Sequence, residues 1–209
     1  GRTLRGVVFL SLPASIGLIF LRRPIVALLF ERGFFTAGST ELVAWALLWY
    51  AIGLVGHSIL EVVVRAFYAM YDTWTPVTVG VIAMSLNVVF SLVFAVGFSR
   101  LGLPPHGGLA LANSLATALE VVVLLLLIRK RLGGLGFRRL RRGLVGSAVA
   151  SVVMAVGLWF WIGITAGANV WLSGLGGVFL GASLYWAIAF ATGVPEARQL
   201  PRMVLSRWL

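Results

Sequence analysis

Three sets of polar side chains interrupt the long apolar runs of this chain, and they are the residues that could do chemistry. His57, Glu61 and Arg65 recur at i, i+4 and i+8, which places them on one helical stripe. Asn87 and Ser91 share a face of a second run, and Asn113, Thr117 and Glu120 share a face of a third. A polar group at mid-bilayer costs a few kcal/mol unless something satisfies it. For the first stripe two readings are open. Glu61 and Arg65 form a salt bridge whose arginine snorkels to the membrane surface, or the stripe is a polar wall along a substrate path. For Asn87, Ser91, Asn113 and Thr117 the choice is between interhelical hydrogen bonds and a cation site for a hard ion such as sodium. Glu120 most needs a partner, because about 12 Å of helix rise separates it from Ile128.

Catalytic chemistry finds little support. The chain has no cysteine, so thiol nucleophiles, disulfides and cysteine metal sites are excluded. It contains no GxSxG, HExxH or P-loop motif, and its two histidines, His57 and His106, lie in different segments. No catalytic residue, metal ligand set or bound cofactor is expected. Sodium or the membrane potential remains as an energy source for a coupled process.

The elements that must position these residues follow from composition. Apolar residues make up 60% of the 209, charged residues 11%, and mean hydropathy is +1.03. Soluble domains carry roughly 25% charge, so a soluble enzyme and a disordered tail are both excluded. Six runs suit transmembrane helices: Gly6–Leu21, Leu42–Val64, Val77–Phe98, Gly108–Ile128, Leu144–Ile164 and Val170–Val194. They are too long, and too uniformly apolar, for barrel strands. Pro24–Phe35 is too short to span and reads as a re-entrant or interfacial element over 24–35. The expected organisation is a four-span part over 1–132, a basic linker over 133–143, and a two-span extension with a basic tail over 144–209.

The net charge of +11 comes from 17 basic and 6 acidic residues. Alternate sides of the six runs hold 13 and 4 basic residues. The positive-inside rule therefore places both ends in the cytoplasm and sets the arginines against anionic membrane lipids rather than nucleic acid. Trp159, Trp161 and Trp171 suit the opposite interfacial belt, or plain lipid-facing bulk. The last two spans carry small residues, among them Gly146, Ala150, Gly177 and Gly181. Such residues permit close helix packing, and the lack of charge also fits an apolar groove for a lipid tail. The chain opens on Gly1 without a cleavable signal peptide and is expected to be part of a longer one.

Three stretches carry a family resemblance: LLFERGFFT at Leu28–Thr36, RAFYAMYDTWTPV at Arg65–Val77 and GGLALANSLA at Gly107–Ala116. Together they resemble the MurJ/MviN family of lipid II flippases, within the multidrug and oligosaccharide-lipid exporter superfamily. The motif positions are Arg32, Gly33, Phe67, Tyr68, Asp72, Thr73 and Pro76. The resemblance implies an all-α bundle in which this chain is the last six spans, the C-terminal lobe of a two-lobed fold. It implies alternating-access movement of lipid II, or a similar polyprenyl-diphosphate lipid, across the bacterial cytoplasmic membrane for peptidoglycan synthesis. The N-terminal half of the same protein would then be a partner. Sodium coupling in the family implies a site near Asn87, although Ser91 stands where an acid would bind more strongly. A multidrug or polysaccharide-lipid exporter, and a non-transporting scaffold for cell-wall synthesis, are the competing readings.

Overall fold

The computed structural model describes residues 2–131 and 137–197. Its described residues include six helical segments long and apolar enough to cross a membrane. They are α1 (Arg2–Phe30), α2 (Ala37–Ala69), α3 (Trp74–Arg100), α4 (His106–Arg131), α5 (Phe137–Ile164) and α6 (Gly177–Ala191), the last preceded by a π-helical turn at Leu172–Gly176. All-α membrane architecture is as the apolar runs require, because a chain in hydrocarbon must satisfy its own backbone hydrogen bonds.

Two expectations are corrected. Helix α1 runs unbroken through Pro13 and Pro24 to Phe30, so Pro24–Phe35 is not a separate re-entrant or interfacial element. Membrane helices tolerate an internal proline when neighbouring groups satisfy the freed backbone, so Pro24 need not end the span. The chain turns only at Gly33, whose φ of +58° suits glycine. The basic linker is also shorter than expected. Residues 137–142 are already the first turns of α5, since no glycine or proline interrupts them before Gly143. The remainder of that linker and the C-terminal tail lie outside the described residues.

The helices form two compact units that cut across the expected four-plus-two division: α1 joins α5 and α6, while α2, α3 and α4 form the other unit. In the second unit α4 lies between α2 and α3, which hardly touch each other. Glycines let α4 approach both. A Cβ on Gly53 of α2 would stand 2.7 Å from Ser114 Cβ, and one on Gly108 of α4 would stand 2.6 Å from the Phe94 carbonyl carbon of α3. At the far end Val63 and Phe67 of α2 pack on Leu124 and Ile128 of α4. In the first unit Phe9 and Leu21 of α1 share a core with Met154 and Leu158 of α5 and Tyr185 and Ala189 of α6. The Tyr185 hydroxyl donates to the Phe9 carbonyl at 2.6 Å. Arg5 Nε and Glu196 Oε1, 3.1 Å apart, close the start of α1 against the chain after α6.

Candidate functional site

The α2–α4 unit gathers five of its intramembrane polar residues into one hydrogen-bonded centre. Small residues make this possible: Gly53, Gly56, Gly107, Gly108 and Ser114 bring the backbones close enough for short polar side chains to meet. Asn113 Nδ2 lies 3.1 Å from His57 Nε2, and Thr117 Oγ1 lies 3.4 Å from the same nitrogen. Asn87 Nδ2 donates to Asn113 Oδ1 at 3.4 Å, and Ser91 Oγ donates to Asn87 Oδ1 at 3.2 Å. The centre thus joins α2, α4 and α3. The four candidate cation-site residues do come together, and His57, which the spacing grouped with Glu61 and Arg65, joins them.

The rest of the expected polar stripe points elsewhere. Arg65 donates to Glu61 at 3.3 Å, but the two side chains are 79% and 73% exposed, so the pair contributes little. Glu120 lies beside α3 at Gly80, where a Cβ would stand 3.2 Å from Oε1. Among the described residues no group of three histidine, aspartate or glutamate side chains converges as a metal site would require.

The turn between α2 and α3 holds a second cluster. Asp72 accepts from the Thr75 amide at 3.0 Å and from the Thr75 hydroxyl at 2.6 Å, capping the start of α3. Arg131, at the end of α4, pairs with Asp72, donates to Thr75 Oγ1 at 3.2 Å and lies 5.6 Å above the buried Phe67 ring. The Thr75 hydrogen bonds, and then Arg131, hold the Asp72 carboxyl down at about 2.

The α1, α5 and α6 unit contains an apolar groove of about 410 Å³, walled by α1 at Pro13, Gly17 and Leu18 and by α6 at Gly177, Gly181 and Ala182. Gly177 and Gly181 keep that wall low. A Cβ on Gly181 would stand 3.4 Å from Leu158 Cδ2, so this glycine serves the α5–α6 contact and the groove together. Gly146 faces Val194 and Thr192, and Ala150 is buried in the core, so these two act in packing. Trp159 and Trp171 are exposed, while Trp161 turns inward to donate to the Ser173 carbonyl at 3.2 Å.

A two-unit helical bundle with a polar centre and an apolar groove can be compared with known proteins. The family model described as "Lipid II flippase MurJ" matches residues 2–178. The chain belongs to the MurJ family. A probable lipid II flippase MurJ of Vibrio cholerae is 36% identical over 121 residues, covering 58% of this chain and 22% of the relative. One of Rhizobium tropici is 31% identical over 211 aligned positions, covering 96% of this chain and 38% of the relative. The fold agrees with a solved structure titled "Lipid II flippase MurJ, inward closed conformation", with a TM-score of 0.71, 23% identity and coverage of 89% of this chain and 36% of that one. The chain therefore spans about a quarter to two fifths of the length of these MurJ proteins.

The MurJ motif residues have legible local jobs. Gly33 makes the turn after α1. The neighbouring Glu31 accepts from Thr40 at 2.9 Å at the start of α2, where a carboxylate suits the helix dipole. Phe67 is the buried ring beneath Arg131, and Pro76 is buried near the start of α3. Arg32, Tyr68 and Thr73 are exposed. Spacing alone missed the Arg131 contact to Asp72 and Thr75. The Asp-x-x-Thr spacing signals the cap, but an arginine 59 residues away has no local signal.

Proposed function

We propose that this chain works as the C-terminal part of a carrier that moves lipid II, or a similar polyprenyl-diphosphate lipid, across the cytoplasmic membrane by alternating access. The family match over residues 2–178 carries the reading. The chemistry of the two units supports it. A lipid with a large sugar-phosphate head cannot cross hydrocarbon unaided, so the head needs a wet polar path while the tail stays in an apolar one. The groove between α1 and α6 has the apolar lining a polyprenyl tail requires. Polar side chains on α2 and α4, among them His57, Glu61, Arg65 and Glu120, are the candidates for lining the head-group path. The partner is the N-terminal half of the carrier fold, and rocking of one lobe against the other changes which side is open. Both ends of the chain lie on the cytoplasmic side, where the basic residues meet anionic headgroups.

Depletion of the protein in its host tests this reading. Accumulation of inner-leaflet lipid II followed by lysis is expected. Normal growth with new drug sensitivity would instead support an exporter of the same superfamily.

A further inference from the structure

Two carboxylates lie well inside the spans of the α2–α4 unit, and they differ in one respect. Glu61 pairs with Arg65, whereas Glu120 makes no hydrogen bond or ion pair with a described residue. Glu120 is the fifteenth of the 26 residues of α4. At 1.5 Å per residue it stands about 16 Å from Arg131 at one end of the helix and about 21 Å from His106 at the other. A glutamate side chain cannot reach the headgroups from that depth. Carboxylates in such places are costly to leave alone and are almost always found paired.

The side chain lies in the seam between α3 and α4. A Cβ on Gly80 would stand 3.2 Å from Glu120 Oε1, so the carboxylate rests over α3 backbone that has no side chain there. One flank of the seam is closed by the buried Ala83 and Leu124. The other is open: Val77, Val81 and Met84 of α3 are exposed, as are Leu119 and Val123 of α4. Glu120 therefore marks the line where two open helix faces meet, and its neighbours on those faces are apolar. That setting separates it from the other head-group candidates, because a sugar-phosphate head loses its water against such a surface without gaining hydrogen bonds.

Within the unit no basic side chain answers it. Helix α3 carries none before Arg100, at its far end. On α2, Arg65 is exposed and holds Glu61. Arg129, Lys130 and Arg131 lie at least about 13 Å further along α4. The nearby hydroxyls of α3 are engaged as well, Thr78 with the Trp74 carbonyl and Ser85 with the Val81 carbonyl. In the other unit, α5 and α6 carry no basic residue between Arg142 and Ala191, and Arg5, Arg22 and Arg23 of α1 already have partners.

The chain covers 38% of its Rhizobium tropici relative and 36% of the solved MurJ, so most of such a carrier lies elsewhere. A lipid tail would cover the apolar faces but bring no cation; a membrane helix can bring both. We propose that the open α3–α4 seam docks a membrane helix of the carrier's N-terminal half, and that an arginine or lysine on that helix pairs with Glu120. The identity of the occupant rests on the flippase reading, which supplies that half; the need for a cation at Glu120 does not.

The full-length carrier, with the photo-reactive residue benzoylphenylalanine replacing Met84 or Val123, is irradiated in its host membrane, and the cross-linked peptides are identified by mass spectrometry. Both positions should join one membrane helix of the N-terminal half, with an arginine or lysine within one turn, about 5.4 Å, of the linked residue. Glu120→Arg should lose that cross-link, and placing glutamate at the basic position of the same protein should restore it. Where Glu120→Arg alone does not accumulate, the exchanged pair should accumulate at the wild-type level. An exchanged pair that fails as well, or a Glu120→Arg protein that keeps the cross-link, overturns the pairing. Cross-links to lipid alone, to a second copy of this chain, or to the α1, α5 and α6 unit overturn the docking, and so does a helix of the N-terminal half without a basic residue in reach. None of these results depends on transport. Normal growth on depletion would defeat the flippase reading while the cross-links still decide what covers Glu120.

Discussion

Substituting Gly53 by alanine should drive α2 and α4 apart at the point where the polar centre is assembled. The added Cβ would stand 2.7 Å from Ser114 Cβ and 2.9 Å from Ser114 Cα, and nearer still to Oγ. Rotating the serine clears the hydroxyl but neither carbon, so the helices themselves must move. Overpacking of this kind costs about 1–3 kcal/mol. Separation also stretches the 2.7 Å bond from Ser114 Oγ to the Trp49 carbonyl, and interhelical hydrogen bonds in membranes average about 0.6 kcal/mol. Against this, alanine gains about 1 kcal/mol over glycine in helix propensity. The net expectation is a loss of about 0.5–2.5 kcal/mol, together with a longer His57–Asn113 contact one turn further on. Reversible unfolding in mixed lipid and detergent micelles measures the loss. Adding Ser114→Gly removes the hydroxyl and Cβ contacts and leaves only the one at Cα, so it should return part of the stability, a coupling of about 1 kcal/mol in a double-mutant cycle. A Gly53→Ala protein as stable as the wild type, or a double variant whose losses simply add, would refute the close approach.

Four further outcomes are expected. Gly108→Ala would place Cβ 2.6 Å and 2.7 Å from the Phe94 carbonyl carbon and oxygen; these are backbone atoms, so the same unfolding assay should show a loss near 3 kcal/mol that no side-chain substitution on α3 rescues. Glu196→Gln removes the carboxylate charge that faces Arg5 Nε at 3.1 Å, and should cost about 3 kcal/mol, the low end for a buried pair, because the Arg5 side chain keeps 22% exposure; a cost under ~1 kcal/mol would place the pair among surface bridges. Asp72 is depressed from 3.8 to about 2, so the cap it makes is fully present above pH ~4 and is lost as the pH falls through about 2; exchange of the Thr75 amide should be protected to the same degree from pH 7 to pH 5, and loss of protection near pH 5 would contradict the hydrogen-bond geometry. Ala182→Phe projects from an exposed position into the α1–α6 groove; displacing about two methylenes of a bound tail, at about 0.8 kcal/mol each, should weaken polyprenyl-lipid binding roughly tenfold with little change in stability, and unchanged binding would remove the groove from the tail's path.

The number and type of the helices were legible because each apolar run is long enough to span and carries few charges. Their grouping was not. Pro24 looked like a boundary because proline breaks soluble helices, yet α1 continues through it to Phe30, as membrane helices allow. The grouping matters more, since the groove is walled by α1 together with α6, and a reading that joined α1 to the next three spans could not place it. Within the α2–α4 unit the i, i+4 faces of Asn87 and Asn113 were readable, and they do meet. The position of His57 was not, because a stripe shared with Glu61 and Arg65 says nothing of which neighbour each residue turns toward. Each i+4 step rotates the direction by about 40°, enough to carry the stripe from the α4 interface at His57 to the exposed pair at Glu61 and Arg65.

The same rotation explains why the polar centre is narrow. An amide, a hydroxyl and an imidazole on three helices can meet only where the backbones nearly touch, and glycine marks those places. Along α3 and α4 the contacts Gly80 with Glu120, Asn87 with Asn113, and Phe94 with Gly108 follow one antiparallel register. Two glycine contacts therefore bracket the amide pair, and they hold Asn87 within 3.4 Å of Asn113. On the other side Gly53 and Gly56 do the same for His57 against α4. Replacing the bracketing glycines by larger residues would keep every polar side chain and still dissolve the centre, since hydrogen bonds weaken steeply beyond about 3.5 Å. Conversely, an apolar substitution at Asn113 would leave the helices packed and His57 without its donor. Packing and polar order are thus separable by mutation. The hydrogen bonds that join His57 of α2 to Asn87 of α3 run through Asn113 of α4.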